Sequence, residues 1–313
     1  MPYISVVTPT YNEEDNIVDL CKEIKKIFEQ TNYDYEHIII DNSSTDNTVK
    51  KVKELIKNNS SIKLIVNSKN YGHLLSPVYG IKQSSGEATI LINADFQDPP
   101  ELIKKLIISW ERGNKITLLQ KTKSDENFFI KFLRKFYYWF LSKTSNSNLT
   151  QNTTGSGIFD KSIVEILRQI KDPIPYLRGL LAEIGPEIEL IQFEQPSRSR
   201  GKSKNNFFTL FDVSMIGLVK QSKFFLRFMT LCGLTLSLFS FLVAIVFFIL
   251  KLIFWEQFEL GKAPLLIGLF AISGFQILFL GIIGEYLNVV LMHVRNLPDI
   301  VEKERVNFDV GNN

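Results

Sequence analysis

The segment "ILINADFQDPP" runs from an apolar stretch, Ile90-Leu91-Ile92, into Asn93, Asp95, Gln97 and Asp98, followed by two prolines. A structural turn needs one Asp or Asn; this one carries several oxygen-bearing side chains. Asp95 and Gln97, two apart, can both offer oxygen to a hard cation. Mg²⁺ or Mn²⁺ suits such a site, because it is held by few carboxylates together with substrate phosphates. Asp98, directly before Pro99-Pro100, reads as the turn former of the group and as a secondary site candidate. Similar polar clusters, "PTYNEE", "DNSSTD" and "NSKNYGH", follow three other apolar runs. Asp41 closes one of these runs and could accept from a base or ribose; taken alone it is equally a turn residue. Asp46 reads as a helix cap, and His73 as either a surface residue or a contact.

The elements that must position these residues alternate up to about residue 115. "YISVVTP", "YEHIIID", "IKLIVN" and "ATILINA" read as strands. Between them, Ile17, Leu20, Ile24 and Ile27 fall at helical spacing. Val49, Val52, Leu55 and Ile56 do so behind a Ser/Thr/Asp start, and "LLSPVYGIKQSSG" reads as a helix ending at Gly86. Such alternation predicts an α/β, Rossmann-like fold with a mostly parallel sheet. In that fold ligands bind where the strands end, and all four polar clusters follow strand ends. Neither GxGxxG nor GxxxxGK[ST] occurs after the first strand, which disfavours dinucleotide and phosphate-loop sites. A nucleotide site built of acids and amides remains.

Net charge is +3, and no nucleic-acid signature appears, so a nucleic-acid partner is not expected. Cys21 and Cys232 are isolated, which excludes a disulfide framework or zinc site and fits a reducing compartment. The start "MPYISVVTPTYNEE" has no basic n-region, so it does not read as a signal peptide. "NFFIKFLRKFYYWFLSK" reads as a basic amphipathic helix, at a membrane surface or in a core. Phe228 to Leu250 and Ala263 to Gly284 carry no charged residue. Each approaches or exceeds the ~20 residues that span a bilayer, which predicts a two-helix transmembrane hairpin. Lys220, Lys223 and Arg227 precede it, and His293 and Arg295 follow it. The positive-inside rule then places the large domain and both termini in the cytoplasm, at the inner (plasma) membrane. The expected organisation is a domain over 1–205, a juxtamembrane segment over 206–227, the hairpin over 228–292 and a cytoplasmic tail over 293–313. Small residues in "GLTLS" and "GIIG" admit packing between spans and a homo-oligomer.

"VVTPTYNEEDNI", "DNSSTDNT", "NYGH" and "NADFQDPPEL", in this order, resemble the successive motifs of family-2 inverting glycosyltransferases with the GT-A fold. "RGKSKNNFFTLFD", two spans and "GEYL" resemble the branch that loads sugars onto polyprenyl phosphates, the dolichyl-phosphate mannose synthases and bactoprenol glucosyltransferases. The resemblance covers nearly the whole chain. It implies that Pro9, Tyr11, Glu13, Asp41, Asn93 and Asp95 line a nucleotide-sugar site, and that Asp95 and Gln97 hold Mg²⁺ or Mn²⁺. It implies that Lys121 and Arg134, with Arg198, Arg200, Lys202 and Lys204, face an acceptor phosphate. Asp95, Lys121 and Arg134 would then be the catalytic residues. The sequence departs from the family pattern in three places. Asp41-Asn42 stands where Asp-Asp is usual, Asn93-Ala94-Asp95 where Asp-Ala-Asp is usual, and "TTGSGIFD" where many relatives carry Gly-Asp-Phe. No base is assigned to Ser156. The expected reaction moves a sugar from a nucleotide diphosphate sugar, UDP-glucose first, to undecaprenyl phosphate with inversion, for cell-surface polysaccharide assembly or modification. Two alternatives stay open: transfer to a glycan hydroxyl, and an inactive scaffold or lipid-sugar binding subunit.

Overall fold

The computed structural model describes residues 3–122, 143–144, 153–185, 187–196, 215–217, 219–220, 222, 224–254, 262–295 and 298–308. In chain order these form β1 (Tyr3–Thr10), α1 (Ile17–Phe28), β2 (Asp34–Asp41), α2 (Thr48–Ile56), β3 (Ile62–Asn67), α3 (Gly72–Gln83), β4 (Ala88–Leu91) and α4 (Leu102–Glu111). There follow β5 (Ile116–Lys121), β6 (Thr153–Asp160), α5 (Lys161–Gln169), α6 (Leu177–Ile184), β7 (Ile188–Phe193), α7 (Phe224–Ile253), α8 (Lys262–Val294) and β8 (Glu302–Val306). The helix expected to reach Gly86 ends at Gln83.

The strands make one sheet in the order β7-β5-β6-β4-β1-β2-β3-β8. β1, β2, β3 and β4 run parallel, and β6 is antiparallel to both β4 and β5. The period-2 alternation of strand side chains sorts the core into two layers. Ile4, Val6 and Ile39 pack with Ile17, Leu20 and Ile24 of α1 and Ile103 and Leu106 of α4. Val7, Ile38 and Ile40 pack with Val78 and Ile81 of α3 and with Ile163 and Leu167 of α5. The mostly parallel α/β sheet expected from the sequence is thus observed.

The segment expected as a tail does something else. β8 pairs antiparallel with β3, Val306 opposite Leu64 and Arg305 opposite Ile65. Ile300 is buried, and Phe308 packs under Arg305 and Lys63, 4.5 and 5.3 Å from its ring centre. The sheet is therefore closed at one edge by residues that follow the two long helices.

α7 begins at Phe224, upstream of the predicted first span, and α8 ends at Val294. Among the described residues, Ile272–Val294 of α8 is long and apolar enough to cross a membrane. Large apolar side chains are open along both helices, Leu231, Leu238, Ile277 and Leu280 among them. That much contiguous apolar surface calls for an apolar environment or partner. Asp172, buried in the loop after α5, receives Lys220 Nζ at 2.6 and 2.7 Å and lies 3.5 Å from His293 Nε2. One carboxylate therefore touches both the approach to α7 and the end of α8.

α3 lies close on the sheet at Gly80, where an added Cβ would fall 2.5 Å from Val7 Cγ1 and 2.6 Å from Ile40 Cδ1. Gly80→Ala should cost about 1–3 kcal/mol through overpacking, read as a lower denaturation midpoint of the detergent-solubilised chain. Unchanged stability would mean that α3 can lift off the sheet at little cost.

Candidate functional site

Because β1 to β4 are parallel, Thr10, Asp41, Asn67 and Leu91 end on one edge of the sheet. β5 ends there too with Lys121, and β6 starts there with Thr153 opposite Gln120. The structure thus brings Pro9, Tyr11, Glu13, Asp41, Asn93, Asp95, Gln97 and Lys121 to one rim. Four non-glycine residues among those described have positive φ, and three belong to this rim: Asn12 (54°), Ser43 (62°) and Phe96 (57°). Left-handed backbone at a bulky residue such as Phe96 is costly and collects at functional sites.

The loops after β1 and β2 are laced together. Asn12 N donates to Ser44 Oγ at 2.8 Å, Glu13 N to Thr48 Oγ1 at 2.9 Å and Glu14 N to Asp46 Oδ2 at 3.2 Å. Thr45 N returns a bond to Asn12 Oδ1 at 2.8 Å, and Asn16 Nδ2 donates to Glu13 Oε2 at 2.7 Å. Asp46 also accepts from Thr48 N at 3.0 Å, an Asx turn just ahead of the helix N-cap, which is Asn47 and not Asp46 as expected.

Asp41 differs from the expectation of an open, ligand-reading acid. It is fully buried; Oδ1 accepts from Ser44 N at 2.9 Å, and Oδ2 from Ser44 Oγ and from Thr10 Oγ1. Burial pushes its pKa up against these bonds. Its carboxylate shapes the 42–44 turn. Asn42 explains its own departure from an acid. Its Oδ1 accepts from Asn67 Nδ2 at 2.9 Å, Ser76 Oγ at 2.5 Å and Tyr71 N at 3.3 Å, while its Nδ2 donates to Gly72 O at 3.4 Å. A carboxylate could not make the last bond. The amide ties the ends of β2 and β3 to the start of α3.

Beyond β4, Asp95 and Gln97 are partly exposed, and Asp95 Oδ1 accepts from Gln97 N at 3.2 Å. Asp98, expected to form the turn, is instead fully buried against β6. Its Oδ2 accepts from Ser156 Oγ at 2.6 Å and from Asn93 Nδ2 at 2.9 Å, and Asn93 Nδ2 also reaches Ser156 Oγ at 3.3 Å. Oδ1 is buried with no hydrogen-bond partner among the described residues. Burial raises the Asp98 pKa, the bonds from Ser156 and Asn93 oppose this, and the Asp95 charge adds to the rise. No cluster of three or more His, Cys, Asp or Glu able to hold a metal occurs among the described residues. The donor set of Asp95 and Gln97 is hard oxygen with a single carboxylate. It fits Mg²⁺ or Mn²⁺ only as an ion shared with a substrate's phosphates, not as one caged by protein.

Lys121 is partly buried, opposite Phe193 of β7. Arg134, Arg198, Arg200, Lys202 and Lys204 lie outside the described residues. A cation that the sequence reading missed stands at the same rim. Arg178, near the start of α6, donates Nη1 to Thr153 O at 3.1 Å and stacks 5.9 Å from the Tyr176 ring. Desolvation and then the Arg178 charge hold His73 below its ordinary pKa. Nothing in the local pattern around "PIPYLRGLL" signals this, because the position depends on where β6 begins.

A family model described as glycosyl transferase family 2 matches residues 5–167. A protein of Synechocystis sp. described as an uncharacterized glycosyltransferase is 30% identical, over 94% of this chain and 93% of its own length. A bactoprenol glucosyl transferase of Shigella phage SfII is 27% identical, over 96% of this chain and 97% of its own. Among solved structures, the glucosyl-3-phosphoglycerate synthase of Mycobacterium tuberculosis, crystallised with Mn²⁺, UDP-glucose and phosphoglyceric acid, superposes with a TM-score of 0.50 at 18% identity. That match covers 70% of this chain and 78% of the other, and the likeness is one of fold.

Asp98 carries a raised pKa in the folded state, so the stability it contributes is present below the unfolded carboxylate value and is lost as pH rises through the folded one. Asp98→Asn should therefore gain stability relative to the parent as pH is raised from about 4 to about 8, measured by thermal melting of both proteins. A constant difference across that range would mean that Asp98 titrates as an ordinary surface acid.

Proposed function

The chain belongs to glycosyl transferase family 2, and on that premise we propose that it moves a sugar from a nucleotide diphosphate sugar to a polyprenyl phosphate at the membrane face. Undecaprenyl phosphate is the acceptor and UDP-glucose the first donor to test, with inversion at the anomeric carbon. One observation carries the reading: the polar rim and two long apolar-faced helices belong to one sheet-closed unit. The relatives named bactoprenol glucosyl transferase also match over 96% of this chain, so their likeness extends through both helices.

The return of β8 to the sheet supports two spans. β3 and β8 are hydrogen-bonded neighbours, so the chain between them crosses any membrane an even number of times. A crossing by Ile272–Val294 then requires a second crossing, and α7 is the segment available for it. Lys220 and Lys223 before α7 and Arg227 in its first turn, with Arg295 after α8, favour a cytoplasmic domain. The catalytic unit in this reading is residues 1–205 together with β8.

In this reading the laced loops after β1 and β2, with Pro9, Tyr11 and Glu13, cradle the nucleotide, and Asp41 holds their shape from beneath. Asn93 and Asp95 face the sugar diphosphate. Asp95 and Gln97 hold Mg²⁺ or Mn²⁺, which when bound offsets the charge of the departing nucleoside diphosphate. Lys121 and Arg178, with Arg134, Arg198, Arg200, Lys202 and Lys204, attract and orient the acceptor phosphate. Its oxygen is already anionic near neutral pH, so positioning and charge neutralisation suffice without a base. That agrees with Ser156, whose hydroxyl is bonded to buried Asp98, having no role as a base.

The test uses purified full-length protein in detergent, undecaprenyl phosphate, Mg²⁺ or Mn²⁺ and a panel of nucleotide sugars, with lipid-linked sugar as the readout. Asp95→Ala should lower turnover by about 10²-fold or more; full activity in that variant would remove the metal role. Arg178→Ala should raise the acceptor concentration needed for half-maximal rate more than the donor concentration. Folded protein that makes no product from any donor would overturn the transfer reading.

A further inference from the structure

A cationic cavity lies away from the rim. It has a volume of about 430 Å³ and is lined by Lys82, Arg168, Lys171, Met292, His293 and Asp299 among others. Lys82 sits in the last turn of α3, whose first residue, Gly72, begins beside the rim. Ten residues of helical rise between Gly72 and Lys82 separate the two places by roughly 15 Å. None of the residues assigned above to donor, metal or acceptor lines this cavity.

Its wall is prepared for an anion. Arg168 donates Nε to Lys82 O at 2.9 Å and Nη2 to Ser84 O, which fixes the guanidinium plane. Lys82 Nζ is held by Ile170 O at 2.8 Å and Asp299 Oδ2 at 3.1 Å. Lys171 is exposed and has no hydrogen-bond or ion-pair partner among the described residues. Three permanent cations thus face one carboxylate, and that carboxylate is already paired. The remaining wall is the end of the stretch that is long and apolar enough to cross a membrane: Met292 and His293 lie within Ile272–Val294. A pre-ordered guanidinium and an unpaired ammonium beside the end of a span are the chemistry that recognises a phosphate ester at a membrane surface.

We propose that this cavity binds the phosphate group of an anionic membrane lipid, at a site separate from the transfer site. The proposal rests on the membrane reading of α8. Its occupant fastens the side of the domain that carries α3 and α5 against the headgroup layer.

The test uses the full-length protein in detergent and three probes: short-chain phosphatidylglycerol, short-chain phosphatidylcholine and inorganic phosphate. Binding is read as a thermal shift and as lipid retained in native mass spectrometry. Phosphatidylglycerol should bind and phosphatidylcholine should not. Lys171→Gln should weaken phosphatidylglycerol binding about fivefold, the ~1 kcal/mol of one basic residue near a lipid surface, and Lys171→Glu further. Inorganic phosphate competing at similar concentration would keep the anion site but assign it to a soluble phosphate ester. No binding of phosphatidylglycerol or phosphate, or equal binding by the Lys171 variants, would overturn the proposal. Flotation of the protein with vesicles made only of phosphatidylcholine checks the membrane reading separately. Flotation without phosphatidylglycerol binding sinks the cavity proposal alone, whereas failure to float sinks the premise.

Discussion

Parallel pairing of β1 with β2 and β4 obliges each connection to carry the chain back to the starting edge before the next strand. The strands then all end on the same side, and the turns that follow them have to share that space. The backbone groups of four such turns cannot all be met by ladder bonds. Short polar side chains meet them instead: Asn12, Ser44, Asp46 and Thr48 across the first two turns, and Asn42, held by Asn67 and Ser76, across the second and third. A dense polar rim is the by-product of this topology.

That origin separates buried framework groups from open ones. Asp41 and Asp98 look like ligands in one dimension, yet both are buried and hydrogen-bonded within the protein. Asp95 and Gln97 stay partly open beside Phe96, whose left-handed backbone turns the chain there. Away from the rim, burial is handled by neutralisation or pairing. His37 is pushed down to about 3 by desolvation and sits neutral 2.9 Å from Thr8 Oγ1. Burial pushes Glu36 up, but Lys63 at 2.7 Å and bonds from Ser5 and Ser85 outweigh it and hold the carboxyl below its usual range.

What could be read from the sequence was whatever depends on near neighbours. The first four strands and the helices between them announce themselves by period, and the open oxygens of Asp95 and Gln97 by their crowding after an apolar run. What could not be read depends on partners far along the chain. Asp98 is a buried bridge because Ser156, 58 residues on, reaches its carboxylate. Arg178 joins the rim because β6 begins there. β8, "EKERV", is mostly charged and has no strand-like apolar alternation; it is a strand because β3 offers it an open edge. The pairing of Lys220 with Asp172 across 48 residues is equally invisible to local pattern.

β8 also changes what counts as the sheet-bearing half of the molecule. That half is not a continuous piece of chain. Cutting after the rim's last N-terminal residues would leave β3 with a bare row of amides and carbonyls, an invitation to pair with another chain. It would also remove Val301, whose carbonyl accepts from Ser68 N at 2.9 Å and whose amide donates to the Tyr71 hydroxyl at 3.0 Å, beside the start of α3. A version without the two long helices therefore has to be spliced, with the last strand carried across in their place; simple truncation takes away a wall of the rim itself.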